Sequence, residues 1–154
     1  LGDVYKRQIL NAAPALTPKK EFFNQIDLLI VNRLEAKMLL SDKIRAFDSL
    51  KALKKLQNLG PKEVIITLGA DGYMGISKDG DIFSKPGIKV DVISTHGAGD
   101  SFVGTLAAFI CKGKTISVAA QYAQASSALH VKTPIDQREK IEQADIENMF
   151  FLNQ

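Results

Sequence analysis

The stretch Asp27-Leu28-Leu29-Ile30-Val31 decides the fold class of this chain. Its apolar residues follow one another without alternation, which is typical of a strand buried on both faces of a parallel sheet. Val64-Ile65-Ile66-Thr67-Leu68 is a second run of the same kind. Between the runs, apolar residues recur at the spacing of a crossover helix that would end at Gly60-Pro61: Ile44, Phe47, Leu50, Leu53 and Leu56. Residues 27–68 are therefore predicted to form a right-handed parallel strand, helix, strand unit.

Shorter elements are predicted on both sides of this unit. Ile9-Leu10-Asn11 predicts the end of a strand, Pro14 to Pro18 a loop, and Lys19 to Gln25 a short helix. Antiparallel strands are predicted at residues 73–77, 81–84 and 88–93, the first two joined by a turn at Lys78-Asp79-Gly80. Helices are predicted at residues 99–112, at 116–131 behind an N-cap at Thr115, and at 144–152. The predicted fold class is α/β, with a mostly parallel sheet flanked by helices and a short antiparallel appendage.

Composition limits the class of protein. The chain has 154 residues, 45% of them apolar, which is enough for the core of about one domain. The net charge of +3 comes from scattered lysines without interleaved aromatic residues, a pattern that argues against nucleic acid as a partner. Cys111 lies in an apolar helical run and is predicted to be a buried thiol in a reducing compartment. No apolar stretch reaches about 18 residues, so we expect a cytoplasmic protein without a membrane partner.

The N-terminus has an unusual sequence. Residues 3–8, Asp-Val-Tyr-Lys-Arg-Gln, are what the codons GAT GTG TAT AAG AGA CAG encode, and that DNA string resembles a transposon end used in sequencing libraries. Residues 1–8 are therefore predicted to be a non-native leader, with the natural chain beginning further upstream, and they do not enter the fold prediction.

The run Ser94-Thr95-His96-Gly97-Ala98-Gly99-Asp100-Ser101-Phe102 combines two glycines with a carboxylate at the start of a predicted helix. Gly97 and Gly99 are expected to adopt positive φ and to let the main chain approach a bulky ligand, because neither has a Cβ. The N–H groups in the first turn of the helix favour phosphate oxygens. A carboxylate there would repel phosphate unless it has separate work. Asp100 is therefore predicted to accept a proton from a group that attacks phosphorus.

Two other segments follow the predicted parallel strands. They are Asn32-Arg33-Leu34-Glu35 and Thr67-Leu68-Gly69-Ala70-Asp71-Gly72. Active sites in open parallel sheets gather at the carboxyl ends of strands, so we expect these segments and the glycine turn to converge. Structural explanations stay open, with Asn32 as a helix cap, Glu35 as a first-turn acid, and the two glycines as turn residues.

Other phosphate and metal sites find less support. No G-x-x-x-x-G-K-[ST] motif is present, which excludes a P-loop. Gly97-Ala98-Gly99 begins like a dinucleotide fingerprint, but Phe102 stands at the third glycine position and no acid follows about 20 residues on. A dinucleotide-binding oxidoreductase domain is thus a weaker hypothesis. His96 and His130 lack companions at ligand spacing, so a zinc site is not predicted and both are expected at the surface.

Four segments in order resemble the ribokinase-like (PfkB) carbohydrate kinases. Residues 9–15, Ile-Leu-Asn-Ala-Ala-Pro-Ala, look like that family's ILNPAPA segment. Asn32 to Glu35 resembles its N-x-x-E motif, Thr67 to Gly72 its T-L-G-x-x-G segment, and Gly97 to Asp100 its G-A-G-D motif. The chain is similar to the C-terminal, nucleotide-binding half of such a kinase.

This resemblance implies an ATP-dependent phosphotransferase that acts on a primary hydroxyl of a sugar, with ribose as the leading acceptor. Asp100 would be the catalytic base, Gly97, Ala98 and Gly99 the anion hole, and Asn32 with Glu35 would organise hydrated Mg²⁺. The residues that would bind ATP are Thr67, Gly69, Gly72 and Gln124. A nucleoside kinase of the same fold, or a catalytically incomplete nucleotide-binding fragment, is the alternative.

The chain departs from the family pattern in three places. Ser94 stands where the family usually has an aspartate that helps bind a monovalent cation, and residues 131–136 lack a Gly-Ala-x-x-Ser segment that supplies further ligands. A monovalent cation is therefore doubtful as a cofactor. The family's N-terminal half, with its lid and most sugar-binding residues, has no counterpart, so residues 9–154 are predicted to be the C-terminal portion of the kinase domain. An exposed sheet edge would favour self-association, which leaves a homodimer of the full-length protein open.

Overall fold

A five-stranded sheet organises the first part of the chain in the computed structural model, which describes residues 6–13, 20–41 and 47–154. Its strands are adjacent in chain order: β1 (Ile9–Asn11), β2 (Leu28–Asn32), β3 (Glu63–Thr67), β4 (Tyr73–Ile76) and β5 (Ile82–Lys85). β1, β2 and β3 are parallel, whereas β4 is antiparallel to β3. The predicted parallel sheet is confirmed, and the antiparallel strands extend this sheet at one side.

The chain divides into two units, of which the first comprises residues 1–69 and 73–84 and contains nearly all of this sheet. Its helices are α1 (Lys20–Phe23), α2 (Arg33–Leu39) and α3 (Ser49–Gln57). The prediction of one crossover helix from Ile44 is wrong in extent, because α2 begins directly after β2 and Phe47 precedes α3. Ile44 and the predicted loop at residues 14–18 lie outside the described residues.

The core of the first unit forms where β2 and β3 meet the crossover helices. Leu29 and Val31 of β2 and Ile66 of β3 pack with Leu53 and Leu56 of α3, all fully or almost fully buried. Leu28, Ile30 and Ile65, which alternate with these strand residues, are buried as well. Both faces of the two strands are thus covered, as their continuous apolar runs predict.

Asp48 defines the start of α3. It is exposed, and its Oδ1 accepts a hydrogen bond from Lys51 N at 3.0 Å. Replacing Asp48 with alanine is expected to lower the free energy of unfolding by about 1 kcal/mol, because a first-turn N–H loses its acceptor. Asp48→Asn keeps an acceptor and should lose much less. Urea unfolding of the two variants checks this, and equal losses would contradict the capping role.

Residues 88–93 do not form the strand that their β-branched content predicts. They are irregular coil with a bend at Ile93, and the chain is held by Ile93 N and Ser94 N, which donate to Val131 O at 2.8 and 3.2 Å. A strand needs a neighbouring strand to pair with, and this segment ends instead with Ile93 N bound to the last turn of a helix. The turn at Lys78-Asp79-Gly80 is confirmed, with Gly80 at φ 88°.

The second unit comprises residues 70–72 and 85–154, and its core is a set of three helices. These are α4 (Ala98–Cys111), α5 (Ile116–Lys132) and α6 (Gln143–Leu152), with α5 packed against both others. One ring from each helix forms a stack: Tyr122 lies 4.0 Å from Phe109 and 4.0 Å from Phe150, measured between ring centroids. Thr115 Oγ1 caps α5 by accepting from Val118 N, as predicted.

Cys111 is exposed, so the prediction of a buried thiol is wrong. The buried residues of α4 are Phe102, Leu106 and Phe109, and Cys111 falls outside the face that they define. None of the helices in the described ranges combines the length and apolar character needed to cross a bilayer.

Candidate active site

The glycine turn begins α4 in the second unit. Gly97 is the N-cap, with a left-handed backbone at φ 77° and ψ 2° that explains the glycine. The turn is closed by Ala98 N, which donates to Thr95 O, and by Ser101 N, which donates to Gly97 O at 3.0 Å. Gly99 is helical, so the prediction of positive φ at both glycines is wrong for the second one, which already lies within the first turn of α4.

Open space and unused donors surround this first turn. A Cβ placed on Gly99 would meet no atom within 4 Å. Among the described residues, no acceptor lies opposite the N–H groups of Gly99 and Asp100. Asp100 is exposed, and its carboxylate lies at a helix N-terminus, whose partial positive charge favours anions. The arrangement offers backbone donors to an anion and an acceptor to a proton.

Serines of α5 fix the first turn of α4. Ser127 Oγ donates to Ala98 O at 2.9 Å, and Ser126 Oγ lies 2.8 Å from Ser101 Oγ. Ser126 is buried, so this second contact forms within the packed helix pair. The position of the turn therefore depends on α5 as well as on α4.

Asn32 and Glu35 form a reciprocal capping box at the start of α2. Glu35 N donates to Asn32 Oδ1 at 2.9 Å, and Asn32 N donates to Glu35 Oε2 at 2.7 Å. The structural explanation for both residues is thus confirmed. Within the described residues Glu35 Oε1 forms no hydrogen bond, and no three His, Cys, Asp or Glu side chains cluster as a metal site. Mg²⁺ accepts a single carboxylate when water and phosphate complete its shell, so this motif fits the ion.

The segment after β3 contains two glycines with different surroundings. Gly69 has φ 64° and open space around the position of a Cβ. Gly72 has φ 96°, and a Cβ there would lie 2.1 Å from Lys85 O and 2.7 Å from Gly87 N. The main chain at Gly72 therefore packs directly on residues 85–87. Gln124 of α5 reaches the same residues, because its Nε2 donates to Pro86 O at 2.7 Å.

The structure groups the predicted site residues by unit. In the first unit, Asn32 and Thr67 are register partners at the carboxyl ends of β2 and β3, and Glu35 joins them through the capping box. In the second unit, Gly72 and Gln124 meet at residues 85–87. Gly97 to Asp100 also belong to the second unit. The glycine turn follows coil rather than a third strand, so of these segments those at Asn32 and Thr67 lie at the carboxyl ends of strands.

Sequence reasoning missed Arg138. It lies in a 3-10 segment, Ile135–Lys140, and donates to the main chain around the glycine turn. No motif marks this arginine. His130, predicted as a surface residue without partners, lies beside it: His130 Nε2 is 3.0 Å from His96 O and 3.0 Å from Arg138 Nη1.

The motifs and the fold agree with the comparison to known proteins. The family model described as pfkB family carbohydrate kinase matches residues 2–142. The chain belongs to the pfkB family of carbohydrate kinases. It is 32% identical over 124 residues to the ribokinase of Haemophilus influenzae, a match that covers 80% of this chain and 40% of that protein.

Two other pfkB relatives show the range of similarity. The chain is 51% identical to the aminoimidazole riboside kinase of Salmonella typhimurium over 51 residues, which are 33% of this chain and 16% of that one. The crystal structure of ribokinase from Thermotoga maritima superimposes with a TM-score of 0.82 at 28% identity, covering 97% of this chain and 50% of that chain. The chain thus spans half or less of the length of the relatives it matches, and the predicted ribokinase-like fold is confirmed.

Proposed function

We propose that this pfkB protein transfers the γ-phosphoryl group of ATP to a primary hydroxyl of a sugar, with ribose or a similar carbohydrate as acceptor. The observation that carries the proposal is the exposed Asp100 beside two backbone donors and the left-handed Gly97. Family membership and the ribokinases among its relatives support the same reaction class.

Asp100 acts as the general base in this proposal. As the acceptor hydroxyl attacks the γ-phosphorus, its proton passes to the Asp100 carboxylate while the bond to the leaving ADP oxygen breaks. At the turn formed by Gly97, Ala98 and Gly99, the N–H groups of Gly99 and of the following Asp100 donate to the phosphate oxygens, where negative charge is concentrated, while Ala98 N stays on Thr95 O. Positioning and charge stabilisation thus supply most of the rate enhancement.

The remaining predicted residues hold the nucleotide and its metal ion. Asn32 and Glu35 would hold hydrated Mg²⁺, which neutralises phosphate charge when bound; Glu35 Oε1 is the oxygen that the capping box leaves for a water ligand. Thr67 and Gly69 follow β3, and Gly72 with Gln124 shapes residues 85–87. We assign these four residues to the ATP site.

A riboside is the second candidate acceptor. The identity of 51% to an aminoimidazole riboside kinase is the observation that favours it, although that match covers 51 residues. The proposed phosphoryl-transfer residues are the same for both acceptors, because the attacking group is a hydroxyl in each case.

Assays of ADP formation test the proposal. The complete reading frame should release ADP from ATP when ribose, another pentose or a riboside is added, and NAD should not bind in a parallel titration. The same assay is run on the present chain alone. If the longer protein turns over ATP and this chain does not, the result supports the hypothesis that this chain is a catalytically incomplete fragment. Binding of NAD without ATP turnover would support the oxidoreductase hypothesis and overturn this one.

A further inference from the structure

The Arg138 guanidinium makes four contacts around the coil that leads into the glycine turn. Its Nη1 donates to His96 O at 2.8 Å, and its Nη2 donates to Ser94 O at 2.9 Å. Its Nε donates to Thr133 O at 3.0 Å. Nη1 also lies 3.0 Å from His130 Nε2. Three carbonyl oxygens from two chain segments therefore converge on one half-buried cationic group.

The contacts of Arg138 with the main chain have one direction. Arginine carries donors alone, so Ser94 O, His96 O and Thr133 O each accept from it. His130 Nε2 lies 3.0 Å from both Arg138 Nη1 and His96 O, and it can satisfy one of these two contacts at a time. Hydrogen bonds from a charged donor are about twice as strong as neutral ones, and the planar guanidinium directs them along fixed lines. Ser94 O and His96 O are therefore held in place relative to the end of α5.

The held segment is continuous with the proposed anion hole. His96 directly precedes Gly97, and a Cβ on Gly97 would lie 2.9 Å from His130 Nε2. The next donor along the chain, Ala98 N, is closed onto Thr95 O, which lies between the two carbonyls that Arg138 binds. A shift of this coil therefore shifts the N–H groups at the start of α4.

The same atoms do not fit a monovalent cation. Potassium binds carbonyl and carboxylate oxygens, yet Ser94 provides no carboxylate and its Oγ accepts from His96 N at 3.3 Å. Ser94 O and His96 O already accept from a guanidinium, and a second cation between them would be repelled by the first. The Arg138 guanidinium thus occupies the position beside the turn where a cation would bind these carbonyl groups.

We propose that Arg138 is a positioning residue that serves as a built-in cation for the glycine turn, so that phosphoryl transfer needs no added potassium. This inference rests on the proposed function for its kinetic consequences. The structural part of the inference does not depend on the substrate: the Arg138 guanidinium fixes the coil, and potassium does not change the position of that coil.

The kinetic test compares variants in potassium and in tetramethylammonium at equal ionic strength. The unmodified complete protein should keep its kcat within about twofold, while Arg138→Ala should lower kcat by about 10²-fold, the effect of misplacing a reacting group by about 1 Å. Adding millimolar guanidinium to Arg138→Ala should raise its kcat about tenfold, because the added cation can occupy the position that the arginine has left. Lys140→Ala removes an exposed cation of the same 3-10 segment and should leave kcat unchanged.

Amide hydrogen exchange provides a readout that needs no turnover. Residues 94–100 should exchange at the same rate with and without potassium in the unmodified protein, and about tenfold faster in Arg138→Gln. Potassium activation of the unmodified protein, or potassium-dependent protection of this segment, would overturn the inference. So would an Arg138→Ala kcat equal to that of Lys140→Ala. Absence of turnover with every acceptor, together with the expected exchange pattern, would reject the proposed function and keep the positioning role.

Discussion

Replacing Asp100 with asparagine is expected to lower kcat of the complete protein by about 10²- to 10⁴-fold, the usual contribution of a general base. The asparagine side chain has nearly the same shape but cannot take up the hydroxyl proton. ATP affinity should change little, because the backbone donors of the turn remain. Steady-state kinetics with the best acceptor, together with calorimetric titration of ATP, measures both quantities.

A matched control separates this loss from a general effect of removing charge. Asp79 is an exposed acid in the turn between β4 and β5, and Asp79→Asn should leave kcat unchanged. Asp100 is also exposed, so Asp100→Asn should unfold within about 1 kcal/mol of the unmodified protein. Near-normal turnover by Asp100→Asn would remove the base assignment.

The second large effect is expected at Gly72, where alanine should lower the free energy of unfolding by about 3 kcal/mol or more. Two causes add at this position. The backbone has φ 96°, which side chains rarely adopt, and the new Cβ would lie 2.1 Å from Lys85 O. The obstacle is main chain, so rotation of a side chain cannot relieve it.

Gly69→Ala is the control for Gly72→Ala. Gly69 also has positive φ, at 64°, but nothing lies within 4 Å of the added Cβ. Its loss should therefore be limited to the left-handed backbone, about 1–2 kcal/mol. Urea unfolding of the two variants measures the difference, and equal losses would show that residues 85–87 yield to the new methyl group.

The elements that could be predicted from the sequence are those whose stability is encoded locally. β2 and β3 follow from uninterrupted apolar runs, and α5 follows from its cap at Thr115 and the alanine-rich run behind it. Residues 88–93 have the composition of a strand, but pairing depends on a neighbour that composition does not specify. The prediction that Cys111 is buried is wrong for a related reason, because an apolar run does not show which of its residues face the partner helix.

The candidate site also has features that the sequence predicts and features that it does not. The left-handed backbone of Gly97 and the acid in the first turn of α4 could be predicted, because a glycine and a carboxylate indicate backbone geometry and charge directly. The contacts of Arg138 could not, since its acceptors at Ser94, His96 and Thr133 are carbonyl groups that every residue type carries. Such contacts leave no pattern in the letters of a sequence, and they become visible when the fold brings distant segments together.

The aromatic stack of Phe109, Tyr122 and Phe150 has a practical consequence for spectroscopy. The protein has no tryptophan and three tyrosines, so few chromophores contribute to near-ultraviolet circular dichroism. Rings held face to face at 4.0 Å give a signal that fixed packing sustains and a loosened interior loses. Because α4, α5 and α6 each supply one ring, the near-ultraviolet signal depends on the packing of all three helices. Its loss would show that the unit that carries Asp100 has lost its fixed tertiary structure.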